Sequence, residues 1–418
     1  MLATNPNLAS NRPVRVSARR RTNSFLSKCA AYRSSVEDYL ASLNVRNPYL
    51  RVLDPCAKTK VLKGGKTLVM LGSNNYLGLS NHPDVIKAAK RAIDLYGSGC
   101  CSSRPLAGTT SLHVELEEEL AEFKGAEASL LFSTGYMTMM GTISALAGED
   151  DVIFSDQLNH ASIIDGVKLA RAQIRVFRHG DMEHLEELLA ACNPETNKLI
   201  VTDGVFSMKG DVANLPEIKA LADDYDAWIM VDDAHGSGVM GENGRGIAEH
   251  FGLEGQIDLV CSTFSKVFGT VGGAVAARRD VIEFLKFNSR PFVFTASLPP
   301  SVIATVLACL KVIKGSPELR RNLWRNAQSL KDGLAGMGFP VMPTPTPIIP
   351  IPLGNDEKVF RLAWALEDEG VFVNPIVPPA VSSECSLIRV TAMATHTREE
   401  IAFALDKFKL VGRRLALI

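Results

Sequence analysis

The sequence predicts an α/β protein: an open, mostly parallel sheet with helices on both faces, followed by a smaller α+β domain. Two observations carry this. From about residue 126, seven short β-rich runs alternate with helical patterns, the mark of βαβ units. A chain of 418 residues, 46% hydrophobic and 22% charged, also has material for two or three cores. That composition excludes a disordered, collagen-like or coiled-coil chain.

Residues 1–36 carry Arg12, Arg15, Arg19, Arg20, Arg21, Lys28 and Arg33 and no acid. Without a continuous apolar segment this is not a secretory signal. A basic tail is the favoured reading, with an organelle transit peptide as the alternative. Lys63-Gly64-Gly65-Lys66 between β-like runs reads as a hairpin turn. Residues 84–96 and 112–123 read as amphipathic helices. The seven predicted strands are 128–132, 152–155, 174–178, 199–202, 228–231, 259–262 and 273–276, with helices such as 183–191 and 217–225 between them. Residues 301–310 read as a buried helix and 319–336 as a long one. Residues 339–353 are Pro-rich and extended, and helix-strand-helix patterns complete the chain. The expected division is a basic tail and helical arm (1–60), a large α/β domain (61–300) and a small α+β domain (301–418).

Charge and cysteine usage narrow the function. With 45 basic and 46 acidic residues the chain is not built to neutralise nucleic-acid phosphates. No apolar stretch reaches the ~18–20 residues a membrane helix needs. Eight scattered cysteines, with no C-x-x-C pair, suit neither zinc nor a disulfide scaffold and point to a reducing cytoplasm. Cys100-Cys101 is expected to serve packing. His113, His179, His184 and His250 have no metal spacing, so surface or hydrogen-bonded histidines are expected and no metal site. Val231-Asp232-Asp233 could close a nucleotide-hydrolase strand, but Lys60 stands where a P-loop before Gly65-Lys66-Thr67 needs its first glycine. Gly236-Ser237-Gly238-Val239-Met240-Gly241 fits a dinucleotide fingerprint by letter, yet turn residues follow it instead of a helix.

Ligands of open α/β sheets bind at the carboxyl ends of the strands. The residues there are Ser133-Thr134-Gly135-Tyr136, then Asp156 to His160, Gly204 to Ser207, Asp232-Asp233-Ala234-His235 and Thr263-Phe264-Ser265-Lys266. Lys266 alone would read as a solvated loop lysine. Preceded by hydroxyls and a β-run, and matched with Asp232 and His160, it suits an amine that forms an imine with an aldehyde beside a bound phosphate. A buried Asp for a pyridinium nitrogen and a His for a ring face complete the protein-side needs of pyridoxal 5′-phosphate.

The stretches Asn74-Asn75-Tyr76-Leu77-Gly78, Phe132-Ser133-Thr134-Gly135-Tyr136, Asn159-His160-Ala161-Ser162, Asp232-Asp233-Ala234-His235-Gly236 and Thr263-Phe264-Ser265-Lys266 resemble the α-oxoamine synthases. These are fold-type I pyridoxal phosphate transferases. The resemblance covers about residues 35–415. Within the family, residues 252–258, 269–273 and 290–300 are most similar to bacterial serine palmitoyltransferases. The resemblance implies Lys266 as the Schiff-base lysine that also moves the Cα proton, and Asp232 on the pyridine nitrogen. It implies His160 stacked on the ring, His235 and Ser207 at the phenolic oxygen, and Gly135, Tyr136, Thr263 and Ser265 at the phosphate. Thr295 would reach in from a second subunit, making a homodimer with shared sites. Asn74 would lie near the reacting carbonyl, and Arg389 would bind the amino acid carboxylate. Two departures stand: Val377 precedes Pro378-Pro379 where serine palmitoyltransferases carry a further arginine, and Met139 replaces a frequent Asn. The implied reaction is decarboxylative condensation of an L-amino acid, serine favoured, with an acyl-CoA. The alternatives are a glycine- or alanine-using synthase of the 2-amino-3-ketobutyrate ligase or 8-amino-7-oxononanoate synthase type, or a non-catalytic partner subunit.

Overall fold

A computed structural model describes residues 25–54, 58–378 and 380–418. Arg12, Arg15, Arg19, Arg20, Arg21, Cys56 and Pro379 lie outside the described residues. The chain divides into two compact units, Met1–Tyr49 and Leu50–Ile418. The first contributes the helix Phe25–Ser42, which carries Lys28 and Arg33.

Among the described residues the second unit holds thirteen strands: β1 (Lys60–Lys63), β2 (Lys66–Met70), β3 (Ala128–Phe132), β4 (Val152–Asp156), β5 (Gln173–Phe177), β6 (Lys198–Asp203), β7 (Ala227–Asp232), β8 (Leu259–Thr263), β9 (Gly273–Ala277), β10 (Ile348–Pro352), β11 (Val371–Phe372), β12 (Asn374–Ile376) and β13 (Leu387–Thr391). Seven of them form the large sheet, in the order β3-β9-β8-β7-β6-β4-β5. Only β9 runs antiparallel within this sheet, to both β3 and β8. All seven predicted strands are present, each within one or two residues of its expected ends. Strands β4, β6 and β8 are buried along their whole length, as expected of interior strands covered on both faces. The edge strand β5 leaves Ile174 and Val176 exposed.

Helices cover this sheet where side chains permit close approach. A Cβ on Gly273 would stand 2.5 Å from Thr138 Oγ1 and 2.8 Å from Gly135 Cα, so glycine lets the helix Gly135–Leu146 rest on β9. Leu130, Phe132, Met139, Ile143, Val201, Met230 and Val275 belong to the core that results. The expected buried helix is Pro300–Gly315, followed by Pro317–Gly336.

The predicted turn at Gly64-Gly65 joins β1 to β2 antiparallel. That hairpin, which the sequence division assigns to the large domain, shares its sheet with β11 near the other end of the chain. The Pro-rich run 339–353 carries a strand, β10, at one edge of a second small sheet with order β10-β13-β12. Pro350, Pro352 and Pro375 all sit on its edge strands, where a missing N–H costs no ladder bond. Arg389 sits in its central strand, β13.

The seven described cysteines are free thiols. Cys101 is exposed with φ +52°, which corrects the packing expectation for that residue. Among the described residues no helix is long and apolar enough to cross a membrane, and no cluster of His, Cys, Asp or Glu could hold a metal ion.

Candidate active site

The carboxyl ends of β4, β6, β7 and β8 converge with the start of the helix Gly135–Leu146 around a cavity of about 300 Å³. Gly135, Tyr136, His160, Ser207, Asp232, His235, Thr263, Ser265 and Lys266 all line it, as does Met139. Asn74 and Arg389 connect to it through Tyr76. Thr295 does not line it; with Ser133 and Ser297 it borders a narrow crevice elsewhere on the same chain.

Each side chain is placed by the element that ends beneath it. Lys266 follows β8 in a tight loop held by Thr270 N–H on Phe264 O and Phe264 N–H on Gly272 O, both 2.9 Å. Gly272 has φ +120°, and a Cβ there would lie 2.6 Å from the Phe264 ring. Burial lowers the Lys266 ammonium pKa to about 8, opposed by Asp232 and Asp203. Protein thus surrounds the amine closely, although the side chain keeps some accessible surface at the cavity. Asp232 ends β7 and accepts from Ala234 N–H at 3.0 Å. Burial raises its pKa to about 6, with Lys266 pulling the other way.

His160 caps the helix Ala161–Leu169. Its Nδ1 accepts from Ser162 N–H at 3.2 Å and lies 2.7 Å from Ser162 Oγ. Burial, then Lys266, lower its pKa and keep the ring neutral, with its proton on Nε2. Its backbone N–H donates to Asp203 Oδ2 at 2.7 Å.

A cradle for an anion forms where Gly135 meets Thr263. A Cβ on Gly135 would lie 2.5 Å from Thr263 Oγ1, so only glycine lets the helix start approach that closely. Thr134 caps the helix by accepting from Met137 N–H, and the Thr263 and Ser265 hydroxyls are 3.0 Å apart beside it. Helix N–H groups and two hydroxyls are the donors a phosphate needs.

Arg389 is 5% exposed and central in its sheet. Its Nη1 donates to Asn74 Oδ1 at 2.9 Å, its Nη2 lies 3.5 Å from the Tyr76 hydroxyl, and its buried Nε has no partner. Among the described residues no carboxylate pairs with it. A guanidinium buried with an unused donor is suited to a ligand carboxylate.

One ionisable residue of the cavity carries no clear sequence signal. Asp203, the last residue of β6, pairs in register with Asp232 and lines the same cavity. Burial and Asp232 push its carboxyl well above the usual range. Lys124 pairs with Asp233 at 2.6 Å and donates to Ser237 Oγ at 2.7 Å behind β7, all buried. His179 lies between Asp156 (3.0 Å) and Asp211 (2.5 Å), and these bonds raise its pKa to about 9. It is thus a held cation, while His113 is wholly buried with Nδ1 on Thr110.

Residues 66–408 match the family described as aminotransferase class I and II. The chain is 48% identical over 366 residues to a serine palmitoyltransferase of Sphingobacterium spiritivorum, covering 88% of this chain and 92% of that one. It is 45% identical over 370 residues to an 8-amino-7-oxononanoate synthase of Thermoanaerobacter pseudethanolicus, covering 88% and 94%. A serine palmitoyltransferase solved with its pyridoxal phosphate internal aldimine superposes with a TM-score of 0.92 at 40% identity, covering 95% of this chain and all (100%) of that one. An 8-amino-7-oxononanoate synthase of Francisella tularensis gives 0.71 at 26% identity, covering 84% and 99%. The chain therefore belongs to the class I and II aminotransferase family of pyridoxal phosphate enzymes, in its α-oxoamine synthase branch.

Proposed function

We propose that the protein condenses L-serine with an acyl-CoA, releasing CO2 and CoA and yielding a 3-ketodihydrosphingosine-type amino ketone. The observation that carries a substrate of this class is Arg389, a buried cation with an unpaired Nε and no carboxylate of its own. The preference for serine rests on likeness to serine palmitoyltransferases in both sequence and fold. The matching 8-amino-7-oxononanoate synthases keep an alanine-type substrate as the second reading.

The cavity fits pyridoxal 5′-phosphate: an amine, a buried acid and a phosphate cradle line its walls. When bound, the cofactor supplies an electron sink for charge developing at the amino acid's α carbon. Lys266 provides the covalent anchor and, with its pKa near 8, an amine able to take up the α proton at modest cost. Asp232 would hold a proton on the pyridine nitrogen. Gly135, Tyr136, Thr263 and Ser265 would bind the phosphate, and Ser207 and His235 would serve the phenolic oxygen. His160 would lie against the ring and offer Nε2–H. Arg389 holds the substrate carboxylate bidentately, with Asn74 beside it near the reacting carbonyl. Thr295, away from this cavity in its own chain, contributes to the site of a second copy, so the working unit is a homodimer. A cytoplasmic location accords with the free thiols.

Borohydride reduction followed by mass mapping tests the assignment. The adduct is expected on Lys266, and Lys266→Ala should retain weak cofactor binding while losing turnover. Titration of the absorbance spectrum with serine, alanine, glycine and threonine then ranks the substrates. An adduct on another lysine, or full activity in Lys266→Ala, would overturn the mechanism.

A further inference from the structure

We infer that Tyr76 is a positioning residue that fixes the tautomer of His235, so that His235 presents Nε2–H to the cavity. The inference rests on the reading of that cavity as the cofactor and amino acid site.

Tyr76 is 1% exposed, and its hydroxyl stands between two groups: His235 Nδ1 at 2.7 Å and Arg389 Nη2 at 3.5 Å. A guanidinium has donors only, and its charge repels the phenolic proton. The O–H therefore turns to His235, and Nδ1 accepts. Burial keeps the phenol protonated, and burial with Lys266 and Arg389 nearby keeps the imidazole neutral. A neutral imidazole that accepts at Nδ1 carries its proton on Nε2. Arg389 thus donates to Asn74 on one side and towards Tyr76 on the other, and the branch from the arginine through Tyr76 to His235 at the cavity wall has a fixed direction. The functional consequence is electrostatic. An Nε2–H stabilises an oxyanion on the cavity side, whereas an Nε2 lone pair would repel it.

Tyr76→Phe removes only the hydroxyl and keeps the ring packed edge-on to His235, at 6.0 Å between centroids. Histidine-ring 15N NMR on the full-length holoenzyme should show His235 with Nε2 protonated and Nδ1 bare, and a mixture of tautomers in Tyr76→Phe. The pH midpoint of the bound chromophore's absorbance should move by about half a unit or more, roughly a threefold change in proton affinity. Turnover should fall about tenfold, with serine affinity changed less than about threefold, because Arg389 keeps Asn74. In a His235→Gln background, Tyr76→Phe should add nothing. Identical ring signals in wild type and Tyr76→Phe, or additive effects in the double variant, would overturn the inference. A borohydride adduct away from Lys266 would instead remove the underlying reading and leave the tautomer measurement standing.

Discussion

Replacing Arg389 with methionine separates a substrate-binding arginine from a scaffold one. Methionine keeps most of the volume in the middle of β13 and removes the charge. The native guanidinium has one good hydrogen bond, Nη1 to Asn74 at 2.9 Å, a long one to Tyr76, and a buried Nε with no partner. Without a carboxylate it bears a desolvation penalty that its neighbours do not offset. A scaffold ion pair would have been lost with the substitution; here none exists to lose. Arg389→Met should therefore leave the melting temperature of the unliganded protein unchanged or slightly higher. Binding should respond the other way. A hydrogen bond to a charged group contributes about 1.5–3 kcal/mol, so losing one raises the serine dissociation constant roughly tenfold to 150-fold. Absorbance titration with serine, beside a thermal melt, measures both quantities. Unchanged serine affinity with a clearly lower melting temperature would refute the argument and assign the carboxylate to another group.

Three further outcomes follow from the same geometry. His160→Ala should keep the cofactor but raise the share of unproductive transamination, read as the ratio of amino ketone to pyridoxamine form; an unchanged ratio would remove His160 from the ring face. His179, raised from 6.5 to about 9 by Asp156 and Asp211, adds stability that is fully present below about pH 6.5 and is lost as pH climbs through about 9. Melting temperature should fall across that window in wild type and less so in His179→Gln, and parallel curves would deny the held cation. Light scattering at assay concentration should give a dimer, and an active monomer would exclude a shared site built with Thr295.

How much of this was legible in the sequence depends on the range of the contact concerned. The strands of the large sheet are local apolar runs, and the sequence places them to within one or two residues. The antiparallel direction of β9 has a local cause as well. Only residues 264–272 separate it from β8, too few for the crossover a parallel neighbour needs. Lys266, Asp232 and His160 stand out in the sequence because each lies at or just beyond a strand end, where chemistry collects in such sheets. Asp203 also ends a strand, and nothing local separates it from a surface acid. Its meaning appears only when β6 and β7 pair and set it beside Asp232.

Arg389 shows the limit most clearly. Its apolar flanks correctly announced a buried charge, and the physics of burial called for an anionic partner. The fold supplies an amide and a phenol from residues 74 and 76 instead, more than 300 positions away in the chain (|i−j| 315 and 313). The proposed substrate carboxylate would supply the missing anion. Such a demand can be read from composition around one residue, whereas the identity of the groups that meet it depends on long-range closure of the chain. Tyr76 joins the site for that reason: its sequence neighbours say only that it is one aromatic in a motif, and its role comes from standing between a cation and an imidazole.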